Sequence, residues 1–208
     1  DYNYSPEIIQ TLGFPRFDNL ENNNLKKQIL IMPSWREYLQ KSEFALKNSK
    51  YFKGLNDLLN NEELIGYAKN RGYKIIFKPH PNLAKFIHLF DLDESIIADD
   101  KKTYQELFYE SELLITDYSS VIFEYSFFKK PVIFYTPDLD EYKKSRDFYY
   151  PLSKYTYGPV VKNFNSLLKE IKTAKVDLGK LDSFYNYFCS SCDGKSTKRV
   201  VKYFMDNK

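Results

Sequence analysis

The sequence predicts an α/β domain built on a doubly wound parallel sheet. Three observations carry that expectation. Short apolar runs at residues 28–32 (QILIM), 73–78 (YKIIFK) and 131–136 (PVIFYT) are continuous rather than alternating, as in strands covered on both faces. These runs alternate with segments of helical period. Each run also empties into polar or proline-bounded residues, so the reactive side chains collect at strand ends, where α/β sheets bind ligands.

The elements follow in order. Residues 1–27 are mixed and turn-rich, with Gly13-Phe14-Pro15-Arg16-Phe17-Asp18 and then Glu21-Asn22-Asn23-Asn24. They read as a linker leading in from a preceding domain, and a chain that opens on Asp1 rather than Met reads as a fragment. Residues 28–32 form the first strand, followed by Pro33-Ser34-Trp35-Arg36. Residues 37–50 are polar, a loop or a loosely held helix. Residues 52–70 carry apolar side chains at helical spacing, and Gly72 closes that helix as a C-cap. The second strand, 73–78, ends at Pro79-His80-Pro81. A short helix at 83–90 and a weaker third strand at 95–98 follow. Thr103 with Glu106 three residues on is a capping box opening a helix at 103–112. Residues 113–116 are the fourth strand, 119–128 a helix and 131–136 the fifth strand. A long polar and aromatic connection occupies 137–157. A sixth strand at 158–162, a helix at 165–175 and a last helix at 195–205 complete a Rossmann-like domain over 28–208.

Composition excludes several classes. The length of 208 residues suits one sizeable core. A net charge of +3, without a block of basic residues, gives no nucleic-acid arm. No apolar run approaches the roughly 18 residues that span a bilayer, and no signal peptide opens the chain. Cys189 and Cys192 form a CxxC, but a zinc site needs two more ligands, and His80 and His88 are the only histidines. The cysteines therefore read as reduced and incidental, and no metal or other cofactor is expected. His88 reads as a structural residue on an apolar helix face.

If the sheet is parallel, the strand ends share one rim. There the sequence sets Trp35 and Arg36, then His80 between two prolines, then Asp117, Ser119 and Ser120 at a helix start, then Asp138. A cation, an imidazole, a carboxylate and a helix N-terminus together suit a phosphorylated ligand, most simply a diphosphate. Pro79 and Pro81 restrict the backbone that presents His80. Arg146, on the long connection, reads as a bidentate phosphate clamp. The G-x-S-x-G elbow, G-x-G-x-x-G and the P-loop are all absent. Asp193-Gly194-Lys195-Ser196 only superficially resembles a P-loop ending, although the helix it starts could still point at the same rim.

Several motifs together resemble the CDP-glycerol glycerophosphotransferases, the teichoic acid polymerase family. Gly13 to Asp18 is similar to its G-x-P-R-x-D, Pro33 to Arg36 to P-[TS]-W-R, Lys78 to Pro81 to K-P-H-P, and Thr116 to Ser120 to T-D-Y-S-S. The stretch from Asp140 to Phe148 resembles D-x-x-x-Y-x-x-x-R-x-x-Y/F, Gly158-Pro159 its G-P, and Asp193 to Val200 its D-G-x-[AS]-[ST]-x-R-V. The resemblance implies the C-terminal, nucleotide-binding half of a GT-B glycosyltransferase fold. It implies that Arg36, Pro79, His80, Asp117, Ser119, Ser120 and Arg146 surround the diphosphate of CDP-glycerol or a related CDP-alditol. His80 and Arg146 would be catalytic, moving glycerol phosphate to a hydroxyl of a growing wall or capsule polymer. It further implies a cytoplasmic enzyme, peripheral at the inner membrane face, whose acceptor and membrane contacts lie in segments outside this chain. The family's W-H-G-T motif, expected to hold the base, is not in this sequence, so the chain by itself should bind donor and turn over poorly. Two alternatives stay open: a GT-B transferase using a UDP- or CMP-sugar, and a nucleotide-binding module without catalysis.

Overall fold

The computed structural model describes residues 3–21, 25–99, 101–146 and 148–207. Asn22, Asn23 and Asn24 of the segment expected to be turn-rich, and Asp147, lie outside the described residues. Six strands, β1 (Gln28–Ile31), β2 (Lys74–Phe77), β3 (Ile96–Ala98), β4 (Leu113–Thr116), β5 (Val132–Tyr135) and β6 (Val160–Val161), form one sheet in the order β3-β2-β1-β4-β5-β6. Every neighbouring pair is parallel.

The continuous apolar runs have a direct physical reading, because successive side chains of a strand point to opposite faces. Ile29, Ile31, Ile75, Phe77, Leu113, Ile115, Ile133 and Tyr135 enter one core. The residues between them, Leu30, Ile76, Leu114, Val132 and Phe134, enter the other. On the first face lie α1 (Glu43–Asn48), α2 (Lys50–Leu59), α3 (Glu62–Arg71) and α9 (Phe164–Lys172). On the second lie α5 (Tyr104–Glu110), α6 (Val121–Tyr125) and α10 (Leu178–Phe188). Both faces are covered, so an alternating pattern has nothing to face outward.

Local signals set most boundaries. Gly72 caps α3 with φ +73°, in the left-handed region. The Thr103 and Glu106 capping box is present in full. The single helix expected over 52–70 is instead two, because the Asn61 side chain accepts from the N–H groups of Glu63 and Leu64 and starts α3 afresh. The polar stretch 37–50 holds α1, capped by Ser42. The long connection holds α7 (Leu139–Ser145) and α8 (Leu152–Tyr155). The expected helices at 83–90 and 119–128 begin as short α-helices, α4 (Pro81–Ala84) and α6, and each ends in a 3-10 turn. The helix α10 was not expected at all. Its Asp177 cap and the apolar residues at 178, 181, 184 and 188 are a readable helical pattern.

The leading segment is packed rather than free. Phe17 and Leu20 are buried in the second core. Asp18 accepts from the backbone N–H groups of Ser196 (3.0 Å) and Thr197 (2.6 Å), and so caps α11 (Ser196–Asp206). Arg199 donates to the carbonyls of Leu12 and Ser191 and to Asp193. Gly13, at φ +82°, lies where a Cβ would collide with the Ser191 carbonyl. The two motifs at 13–18 and 193–200 are thus one structural joint. The N-terminus of α11 is already taken by Asp18, which corrects the expectation that it could point at the strand-end rim. His88 is also corrected: its side chain is 61% exposed beside Glu43, not set on a buried apolar face. Both cysteines are free and buried, and burial raises the Cys189 thiol to about 12.

Candidate functional site

The strand order reverses between β1 and β4, and the chains leaving their carboxyl ends diverge there into a crevice. The Thr116 hydroxyl donates to the Met32 carbonyl (2.7 Å) and ties the two strand ends together. Above that tie the β1 loop carries Ser34, Trp35 and Arg36, and the β4 loop carries Asp117, Tyr118, Ser119 and Ser120.

Beneath the crevice is a buried ionic network. Arg36, 1% exposed, donates from Nε and Nη2 to both oxygens of Asp138 (2.6 and 3.0 Å) and from Nη1 to the Ser34 hydroxyl (2.8 Å). Its Nη2 also stands 2.9 Å from Asp117 Oδ2. The rings of Tyr51, Tyr118 and Tyr142 lie 4.3, 4.7 and 5.0 Å from the guanidinium carbon. Asp117 Oδ1 accepts from the N–H groups of Ser34 (2.9 Å) and Tyr118 (2.6 Å), clamping one loop to the other. Burial drives the Arg36 pKa down, but the two carboxylates more than reverse this, and it ends well above its ordinary value. Burial likewise pushes the Tyr118 phenol far up, reinforced by Asp138.

This placement corrects two expectations. Arg36 is not a rim cation; it is a floor beam whose charge is already matched by two carboxylates. Asp117 borders the cleft but spends its oxygens on Ser34, Tyr118 and Arg36. One guanidinium against two carboxylates leaves this network with no spare positive charge.

One cleft of about 570 Å³ brings together His80, Asn82, Ser119, Ser120 and Arg146, with Phe123, Phe148 and Tyr155 on its apolar side. Its size lies within the usual range for small-molecule sites. His80 N-caps α4: its Nδ1 accepts from the Asn82 N–H (3.2 Å), so the neutral ring carries its proton on Nε2. Partial burial lowers the His80 pKa below 6.5, partly offset by Asp117. Among the described residues the N–H groups of Ser119 and Ser120 donate to no protein group, while the Ser119 hydroxyl accepts from Val121 N–H at 3.4 Å. Arg146 is exposed at the C-terminus of α7. Asp138, at the N-cap of α7, forms no capping bond because Arg36 takes its carboxylate. Pro79 does not border the cleft; it fixes the backbone leading to His80.

The residues that sequence reasoning missed are aromatic. Tyr118 stacks on Tyr142 with ring centroids 4.0 Å apart, and Phe148 packs against both. This stack joins the β4 loop to α7, and so to Arg146. The signal was present, since Tyr118 sits between Asp117 and Ser119, but no local pattern gives its partner.

Comparison with known proteins gives a consistent result. The family model described as CDP-Glycerol:Poly(glycerophosphate) glycerophosphotransferase matches residues 1–206. The minor teichoic acid biosynthesis protein GgaB of Bacillus subtilis (strain 168) is 38% identical over 218 residues, covering 98% of this chain and 22% of that protein. The teichoic acid ribitol-phosphate primase of Bacillus spizizenii is 32% identical over 204 residues, covering 98% of this chain and 50% of that one. Among solved structures, a variant of the wall teichoic acid polymerase TagF soaked with CDPG superposes with a TM-score of 0.68 at 30% identity, covering 98% of this chain and 53% of TagF. The chain spans about half the length of these relatives, or less.

Proposed function

The chain belongs to the CDP-glycerol:poly(glycerophosphate) glycerophosphotransferase family, and on that premise we propose that it forms the donor-binding half of a transferase whose donor is CDP-glycerol or a related CDP-alditol. The family is enzymatic, with teichoic acid polymerases among its members. The observation that carries the reading is the meeting of His80, Ser119, Ser120 and Arg146, from three separate loops, in one cleft at the β1/β4 reversal. The CDPG soaked into TagF is the compound the proposal extends to this chain.

In the proposed reaction the oxygen of an acceptor hydroxyl forms a bond to the distal phosphorus of the donor and gives up its proton to a base supplied from outside this chain. The bond from that phosphorus to the bridging oxygen breaks, and CMP leaves with the bridging oxygen. Nε2–H of His80 donates to the leaving phosphate. Arg146 and the N–H groups of Ser119 and Ser120 hold the negative charge that builds on the phosphoryl oxygens. The acceptor is a hydroxyl of a wall or capsule polymer, and the enzyme works at the cytoplasmic face of the membrane. Among the described residues no helix is long and apolar enough to cross a membrane.

Calorimetric titration of the chain with CDP-glycerol, CDP-ribitol and UDP-N-acetylglucosamine tests the reading. A CDP-alditol should bind, UDP-N-acetylglucosamine should not, and His80→Ala should weaken binding. Preference for the UDP-sugar, or equal affinity of wild type and His80→Ala, would overturn it.

A further inference from the structure

Arg146 ends an exposed stretch of chain, since Lys143, Lys144 and Ser145 before it are exposed as well. An exposed arginine loses rotamer freedom when a ligand orders it. What fixes its backbone therefore bears on how well it holds a phosphate. The nearest described residues that are half-buried are Tyr142, one helical turn before it, and Phe148, two positions after it. Both pack on one ring of the β4 loop. Tyr118 stacks on Tyr142 with centroids 4.0 Å apart and 26° between the planes, and Phe148 lies 5.5 Å from Tyr118 and 5.4 Å from Tyr142. The Tyr142 carbonyl accepts from the Arg146 N–H (2.9 Å) and from the Ser145 hydroxyl (3.0 Å), so the last turn of α7 is anchored at this residue. Tyr118 is itself held: its hydroxyl donates to Asp138 Oδ1 (3.3 Å), and its ring lies against the Arg36 guanidinium.

We propose that Tyr142 is a positioning residue: through its stack on Tyr118 it sets where the Arg146 guanidinium stands against the N–H groups of Ser119 and Ser120. The inference rests on the donor reading of the cleft and deepens it, by naming what keeps the two sides of the phosphate site in register. The shortest route between them is one ring contact. Ser119 directly follows Tyr118 in the chain, and Arg146 follows Tyr142 by one turn. Among the described residues no hydrogen bond or ion pair joins residues 143–146 to residues 117–120, so the stack is the tie. The ring face makes this contact, so phenylalanine can stand in for Tyr142 and leucine cannot. Tyr142 also borders the cleft, and a direct touch on the donor has to be told apart from an action through Arg146.

A double-mutant cycle makes that distinction. Calorimetry gives CDP-glycerol affinity for wild type, Tyr142→Leu, Tyr142→Phe, Arg146→Ala and Tyr142→Leu combined with Arg146→Ala. Amide nitrogen relaxation of the ligand-free chain reports backbone order at Arg146. Tyr142→Leu should weaken binding by about fivefold or more while Arg146 is present, and by less than about twofold once it is alanine. Tyr142→Phe should bind as wild type does. The Arg146 amide should grow more mobile in Tyr142→Leu and stay ordered in Tyr142→Phe. An equal penalty with and without the Arg146 side chain overturns the positioning role. So does an Arg146 amide that is as ordered in Tyr142→Leu as in wild type. Should Tyr142→Leu not fold, Phe148→Leu opens the same stack, supplies both readings and is judged in the same way. A chain that loses order at Arg146 in the leucine variant, but whose wild type binds no CDP-glycerol, keeps the clamp and overturns the donor reading instead.

Discussion

Arg36 Nε lies 2.6 Å from Asp138 Oδ2, although 102 positions separate the two in sequence. The contact joins the loop after β1 to the start of α7, and Asp117 brings in the loop after β4. Three strand ends are thus pinned by one buried cation. Its two carboxylates are 3% and 0% exposed, so they depend on Arg36 for their only countercharge in the network.

Removing that cation should be costly. Arg36→Met is expected to destabilise the fold by about 3–5 kcal/mol, the scale for an uncompensated buried charge. Adding Asp138→Asn to Arg36→Met should recover part of the loss. Urea denaturation of the two variants measures this, and an Arg36→Met protein as stable as wild type would refute the network's role.

Donor binding should take up a proton. Partial burial holds the free His80 pKa below 6.5, and a bound diphosphate favours the imidazolium and raises it. Affinity for CDP-glycerol should therefore increase as pH falls through the region around and below 6.5, and level off below the free-state value. Calorimetry in buffers of different ionisation enthalpy should show net uptake for wild type and none for His80→Gln.

Arg146 gives the clearest test of the cleft. It is exposed and has no ion-pair partner among the described residues, so its loss should leave stability unchanged. Arg146→Ala should weaken CDP-glycerol binding by roughly 1.5–3 kcal/mol, the scale of a charged hydrogen bond. Thermal melts and calorimetry on the same variant separate the two effects.

Asp18 should matter for stability and not for binding. Burial raises its pKa, but the N–H groups of Thr197 and Ser196 outweigh this and hold it below 3.8. The cap is therefore intact above that value and is lost as pH falls through the lowered one. Asp18→Ala should lower the melting temperature and loosen α11 in hydrogen exchange, while CDP-glycerol affinity stays as in wild type.

Much of this molecule is legible locally. The strand at 113–116 is bounded as its apolar run indicates, and the Gly72 and Thr103 caps depend only on neighbours a few residues away. The errors have local causes too. The split between α2 and α3 turns on one asparagine side chain competing for backbone N–H groups. The helix α7 is rich in charge, which blurs its apolar period, whereas the helical spacing of α10 stood readable in the sequence.

By itself the sequence determined that apolar strands alternate with helices, that both sheet faces are covered, and that polar groups gather at the strand ends, because these features follow from side-chain period and nearest-neighbour hydrogen bonds. Only the tertiary structure decided which of those groups are spent on one another and which stand uncommitted at the cleft. Arg36 reads as a rim cation and Arg146 as a phosphate clamp, yet one lies sealed between Asp117 and Asp138 and the other is exposed at the cleft. The difference arises from strand order, which brings β1, β4 and β5 side by side, and from the cost of leaving a buried charge unpaired.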